Sequence, residues 1–225
     1  MLADLSSVSN IPRCVYQTWH TKQLPPSMLE ATQKLKEHNP EFDFFLYDDT
    51  DCRNFINDNF DQEVVEAFDT LVPGAYKADL WRYCILYKKG GIYIDIKFQL
   101  VNGFKFISLG DHEHIVLDRP AWGNGIYNAF IMMKPANPIL LSCIKRVVEN
   151  VKARNYGDNC LSITGPNALY SAFSENNFDF NSISMFHRGD KIEYNGEIVL
   201  QMHPNYHQDQ GAFELHPHYS IMWAE

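Results

Sequence analysis

KADLWRYCILYKKGGIYIDIK, residues 77–97, reads as a helix, two glycines and a strand. The helix is expected over 75–89, closed by Gly90 at the first position past its end. Tyr76, Leu80, Tyr83 and Tyr87 fall on one face of it, and Ala78, Trp81, Cys84 and Ile85 on another. A helix that is apolar on two faces is largely buried. Asp79 and Arg82 occupy the remaining stripe three positions apart, within reach of one another. Two readings stand: a structural ion pair, of little net stabilising value once desolvation is counted, or a carboxylate and a guanidinium facing a polar ligand. In the strand, expected over 92–98, a period of two puts Ile94, Ile96 and Phe98 on one side and Tyr93, Asp95 and Lys97 on the other. A carboxylate in so apolar a strand is costly unless it is paired or holds a cation. Gly90-Gly91 permits a sharp turn and leaves room for a ligand beside the backbone.

Outward from this stretch, the pattern is that of an α/β fold. A strand is expected over 11–17. A helix follows, opened by Ser27 with Glu30 three residues on as a capping box and ending near Asn39-Pro40. A second strand over 42–47 completes a parallel strand–helix–strand unit. Two short helices fill 50–70, punctuated by Asp61. Strands follow at 114–117 and 126–133. One helix starts at Pro138 and runs to about Arg154, and another follows Thr164-Gly165-Pro166. Asn195-Gly196 marks a hairpin turn. The whole is expected to be one domain with a mixed, mostly parallel sheet flanked by helices. In open sheets of this kind ligands bind at the carboxyl ends of the strands.

The chain has 225 residues, 19 Lys+Arg against 28 Asp+Glu and a formal charge of −9. With 45% apolar residues it is globular rather than disordered. The acidic balance argues against a nucleic-acid protein, whose affinity would come mostly from Lys and Arg on phosphates, and against docking on an anionic membrane. No transmembrane stretch is present, and MLADLSSVSN has no secretory character. The five cysteines, Cys14, Cys52, Cys84, Cys143 and Cys160, are odd in number and widely spaced. They read as reduced thiols of a cytoplasmic protein.

The 77–97 segment resembles the signature of glycosyltransferases with a sugar-binding region containing a DXD motif, glycosyltransferase family thirty-two, which is related to glucosylating bacterial toxins and to alpha-mannosyltransferases. Collinear pieces agree: IPRCVYQTWHTKQLP, FDFFLYDD, NAFIMMKPANPILLSCI, ITGPNAL and HPHYSIMW. The resemblance implies a GT-A fold and retaining transfer of a sugar from a nucleotide-sugar donor to a hydroxyl acceptor such as a glycan. UDP is the nucleotide expected, with GDP its rival, because some relatives use GDP-mannose. By resemblance, Gln17, Thr18 and Trp19 hold base and ribose, Asp79 and Arg82 orient the donor sugar, and Asn128 lies near the reacting face. Asp95 matches the first DXD aspartate, which approaches ribose, sugar and a Mn²⁺ or Mg²⁺ ion.

At position 97 the second aspartate is replaced by lysine. Either Asp95 and the tail, with His216 and His218 as its candidates, hold the metal more weakly, or the Lys97 ammonium partly replaces it. A third account has Lys97, with Lys77 or Arg82, facing a negatively charged donor sugar. In DRPAWGNG, residues 118–125, Asp118, Trp122 and Asn124 are loop residues suited to acceptor recognition. The altered motif also leaves open a nucleotide-sugar-binding protein with little transferase activity, or a nucleotide-sugar hydrolase.

Overall fold

The computed structural model describes residues 10–118, 125–213 and 219–222. It contains β1 (Cys14–Thr18), α1 (Pro26–His38), β2 (Asp43–Tyr47), α2 (Asp49–Asn59), α3 (Gln62–Thr70), α4 (Gly74–Lys89), β3 (Gly91–Ile94) and β4 (Phe98–Leu100). Then come β5 (His114–Leu117), β6 (Ile126–Met133), α5 (Pro138–Ala153), α6 (Pro166–Glu175), β7 (Met185–His187), β8 (Lys191–Tyr194) and β9 (Glu197–Met202). Two short helices, α7 (Tyr206–Phe213) and α8 (Tyr219–Met222), close the described chain. No described helix is long and apolar enough to cross a membrane.

The strands form one nine-stranded sheet in the order β2-β1-β3-β6-β5-β7-β8-β9-β4. It is mixed, as expected, but not mostly parallel. Pairing is parallel for β1 with β2, β1 with β3 and β5 with β7. The other described pairings, β3–β6, β5–β6, β7–β8, β8–β9 and β4–β9, are antiparallel. The reason is local: past β3, most neighbours are reached by hairpins or reversals rather than by helical crossovers.

Alternation along the strands feeds two cores. Val15, Ile92 and Ile94 pack on the face shared with Leu35, Phe98 and Phe106. Tyr16 and Tyr93 pack on the opposite face with Trp81, Tyr83 and Leu140, under α2 to α6. Helix α4 is the buried centre of that second layer, as its two apolar faces require; Leu80, Trp81 and Tyr83 to Leu86 are fully enclosed.

Local signals and tertiary contacts disagree in three places. No side chain caps α1; the Ser27 hydroxyl instead donates to the carboxylate of Asp209 on α7. The capping box sits on α2, where Asp48 Oδ1 accepts from the Asp51 N–H at 2.9 Å and Asp51 Oδ2 accepts from the Asp48 N–H at 3.3 Å. Asp48→Ala should therefore lower stability by about 1 kcal/mol, read as a lower urea midpoint at unchanged slope. An unchanged midpoint would contradict the cap. Second, Gly90 ends α4 at φ +65 as expected, but the space beside both glycines is filled by the chain itself. A Cβ at Gly90 would meet the Pro135 ring at 2.6 Å, and one at Gly91 the Cys14 carbonyl at 2.6 Å. No ligand passes there.

Third, the strand expected over 92–98 is interrupted: β3 ends at Ile94 and β4 begins at Phe98. Asp95-Ile96-Lys97 bridges them in a turn closed by the Phe98 N–H on the Asp95 carbonyl at 3.2 Å. β4 leaves β3 to pair with β9 at the far edge of the sheet. The hairpin at Asn195-Gly196 is as read, with both residues at positive φ, +51 and +87, the geometry of a type I′ turn.

Candidate functional site

At the carboxyl ends of β1 and β3 the molecule opens into a cleft of about 730 Å³. Thr18, Trp19 and His20 wall it after β1, Asp95 to Lys97 after β3, and Tyr76 to Asp79 with Arg82 from α4. Asp118, Tyr127, Asn128, His187, Tyr206 and Tyr219 complete it from the other half of the sheet and from α7 and α8.

Its floor is a chain of charges. Arg82 lies between two carboxylates, with Nη2 at 3.2 Å from Asp79 Oδ1 and Nη1 at 3.4 Å from Asp95 Oδ1. Arg82 also donates to the Asn128 carbonyl at 2.7 Å and the Ala78 carbonyl at 3.1 Å, and lies over the Tyr93 ring at 4.3 Å. Asp79 Oδ1 accepts from Asn128 Nδ2 at 2.8 Å, and Oδ2 accepts from the Thr164 hydroxyl at 2.7 Å. Asp95 Oδ1 accepts from the Tyr93 hydroxyl at 2.8 Å, and Oδ2 faces Lys97 Nζ at 2.8 Å. A carboxylate offers about four accepting positions. Among the described residues each aspartate has three such partners, and both border the cleft.

These surroundings set the charges. Burial pushes the Asp79 carboxyl up, opposed by Arg82, Thr164 and Asn128, and the net direction is upward. Burial also works on Asp95, but Lys97 and Arg82 outweigh it and hold that carboxyl below its ordinary value. Burial likewise disfavours the Lys97 ammonium, and Asp95 more than restores it, so Lys97 stays charged well above the usual lysine range.

The expected residues converge unequally. Asp79, Arg82, Asp95, Lys97 and Asn128 form the cluster just described, although they come from α4, the β3–β4 turn and β6. Thr18 and Trp19 line the cleft. The Thr18 hydroxyl is engaged with the Tyr47 carbonyl at 2.9 Å. The buried Trp19 Nε1 has no hydrogen-bond partner among the described residues. Gln17 is a correction. Strand alternation turns it to the sheet face opposite Thr18; it is 2% exposed and does not line the cleft. His216, His218, Trp122 and Asn124 lie outside the described residues.

Sequence reading missed three contributors. Thr164 reaches Asp79 from 85 positions away. Tyr127 stacks on His187 at 3.8 Å, and its ring centre is 5.1 Å from Lys97 Nζ. His187 Nδ1 is 2.8 Å from Asp118 Oδ1, so the imidazole is held by a carboxylate at the cleft wall. Nothing in the spacing of these residues announces the contacts.

Thr164→Val would leave Asp79 Oδ2 without its hydroxyl donor. It should cost about 1–3 kcal/mol in urea unfolding and push the Asp79 carboxyl up further in a carboxyl-carbon NMR titration. An unshifted Asp79 titration would show that the hydroxyl does not hold the carboxylate.

Asp95 is the first-aspartate match, and a divalent metal beside it needs several oxygen or nitrogen ligands free to turn toward the ion. The described residues contain no group of three or more His, Cys, Asp or Glu placed to hold one. Asp95 Oδ2 already bears an ammonium, and Oδ1 bears a guanidinium and a hydroxyl. These donors do not fit a divalent cation.

Residues 25–116 match the family model described as a glycosyltransferase sugar-binding region containing DXD motif. The chain is 36% identical over 95 residues to inositol phosphoceramide mannosyltransferase 2 of Schizosaccharomyces pombe, covering 42% of this chain and 27% of that protein. It is 23% identical over 193 residues to the initiation-specific alpha-1,6-mannosyltransferase of Candida albicans, covering 69% of this chain and 50% of that one. It thus spans between about a quarter and a half of the length of these relatives. Among solved structures, PaToxG glycosyltransferase superposes with a TM-score of 0.59 at 18% identity, over 75% of this chain and 70% of that one. Residues 25–116 are thus similar to the DXD-containing sugar-binding region of glycosyltransferases, and the chain shares the GT-A fold of that solved structure.

Proposed function

We propose that this chain is a glycosyltransferase that moves a sugar from a nucleotide-sugar donor to a hydroxyl acceptor. The observation that carries the reading is the Asp79–Arg82–Asp95–Lys97 cluster in the cleft where β1 and β3 end, where open α/β sheets receive ligands. The buried, prearranged charges are suited to fixing sugar hydroxyls and to meeting negative charge as a diphosphate departs. Asp79 and Asp95 border the cleft and are suited to accept from a sugar or ribose hydroxyl. The β1 loop, with Trp19, supplies an apolar wall for a base.

In the retaining course the family resemblance suggests, the bond from the anomeric carbon to phosphate oxygen breaks. The acceptor oxygen bonds that carbon on the same face, and its proton passes to the departing phosphate. Both relatives above are named mannosyltransferases, which supports mannose as the sugar, with GDP-mannose assayed beside UDP-sugars. A glycan is the acceptor class this reading favours, with Asp118 and His187 lining the cleft it would enter.

The test is product analysis with GDP-mannose and a panel of UDP-sugars, with and without glycan acceptors. Transfer to acceptor, with the anomeric configuration read by NMR, is the expected result. Release of free sugar at an unchanged rate whatever the acceptor would identify a hydrolase. Binding of donor without any turnover would identify a binding protein.

A further inference from the structure

We propose that Lys97 supplies, as a fixed side chain, the positive charge that a divalent ion supplies beside a DXD motif, so that this chain takes a nucleoside diphosphate without metal. The inference rests on the nucleotide-sugar reading above and concerns how the same cleft meets the diphosphate.

Geometry fixes the ammonium in place. Lys97 Nζ is 2.8 Å from Asp95 Oδ2, and the Tyr127 and Phe98 ring centres lie 5.1 and 5.5 Å away. The Lys97 carbonyl accepts the His203 N–H at 2.9 Å, which pins the backbone beneath it. Its side chain is 16% exposed, and both Asp95 and Lys97 line the cleft. The side chain thus borders the cleft while Asp95 holds its ammonium in place.

Charge counting points the same way. Two aspartates and a divalent ion sum to zero; one aspartate and one lysine also sum to zero. The lysine therefore reproduces the net charge of a metal-filled motif in a single covalent unit. Adding a divalent ion here would leave a surplus of two positive charges beside buried Arg82, at a carboxylate whose two oxygens already face cations. A lysine cannot ligate that ion while it carries its proton.

The experiment is calorimetric titration of the full chain with GDP and with UDP, once in Mn²⁺ and once in EDTA. The dissociation constant of the nucleotide that binds should differ by no more than about threefold between the two. A larger gain in Mn²⁺ overturns the proposal. Lys97→Asp restores the second aspartate. With its fold checked by circular dichroism, it should bind at least about tenfold more weakly in EDTA and recover in Mn²⁺. Undiminished binding by that variant in EDTA also overturns the proposal. Lys97→Arg should keep metal-free binding.

Mn²⁺ titrated alone separates the two readings. Wild type should bind it no better than Lys97→Asp does. Tighter binding by wild type refutes the lysine's role while leaving the donor reading standing. Failure of both nucleotides to bind in either buffer refutes the donor reading, and the inference with it.

Discussion

Asp95→Asn is expected to lower donor turnover about 10²–10³-fold and to cost the fold about 3 kcal/mol. The substitution keeps the shape of the side chain and removes its charge. Asp95 now receives Lys97 at one oxygen and Arg82 with the Tyr93 hydroxyl at the other. An asparagine must aim its NH₂ at one of those donors, so whichever way the amide turns, a buried cation or hydroxyl loses its acceptor. The two cations then repel across a site that no longer compensates them, and the ammonium loses its position.

The loss should depend on pH with a definite sign. Asp95 is held below its ordinary value in the folded state. Its contribution is therefore full above the unfolded carboxylate value of about 3.9 and disappears as pH falls through the lower folded value. The stability gap between wild type and variant should stay constant from pH 7 to about 5 and close below about pH 4. Asp79 works in the opposite direction: its raised value means that its ionisation opposes folding as pH rises. Removing the Asp95 charge also relieves part of the upward push on Asp79, so the gap reports the two carboxylates together, with the loss at acid pH belonging to Asp95. Urea unfolding at a series of pH values reads it, and a gap that widened on acidification would contradict the assigned partners.

The second large effect is expected from Gly91→Ala, which should cost at least about 3 kcal/mol and lower the melting temperature by roughly 10 °C. Gly91 has φ +104, and an added Cβ would sit 2.6 Å from the Cys14 carbonyl oxygen and 3.3 Å from the Tyr16 ring. Neither neighbour has room to retreat, because β1 is paired on both sides, with β2 and with β3. The strand that delivers Asp95 begins at this residue, so folded variant should also turn over donor more slowly. Gly196→Ala is the control. It too has positive φ, +87, but nothing lies within 4 Å of the added carbon, so only the backbone cost of about 1–2 kcal/mol applies. Equal melting temperatures for the two variants would show that the close approach to Cys14 does not matter.

How much of this was legible can be judged residue by residue. The burial of α4 followed from apolar residues on two of its faces, and the contact of Asp79 with Arg82 followed from their spacing. The shared side of Tyr93, Asp95 and Lys97 followed from strand alternation and survives the break after Ile94. The glycines were read for the wrong reason. Two adjacent glycines signal a tight approach, but the sequence does not say whether a ligand or the chain's own backbone comes close. The capping box was assigned to Ser27 and Glu30 on a pattern that fits. The pattern lost because Asp209, 182 positions away, competes for the Ser27 hydroxyl. Gln17 was misplaced by a single step of the strand, which sends a side chain to the opposite face.

The sequence by itself determined the α/β class, the order of helices and strands through α6 apart from the break after Ile94, the hairpin at Asn195-Gly196, the sugar-binding signature and the substitution of lysine at 97, because each is written in periodicity or in a contiguous motif. Tertiary structure alone decided the mixed strand order, the removal of Gln17 from the cleft, the Asp118–His187 pair and the hold of Thr164 and Asn128 on Asp79. It also decided that Lys97 closes on Asp95. These depend on side chains from separate elements meeting in a buried space where every charge and polar group must find a partner. Those partners are set by packing across the sheet rather than by distance along the chain.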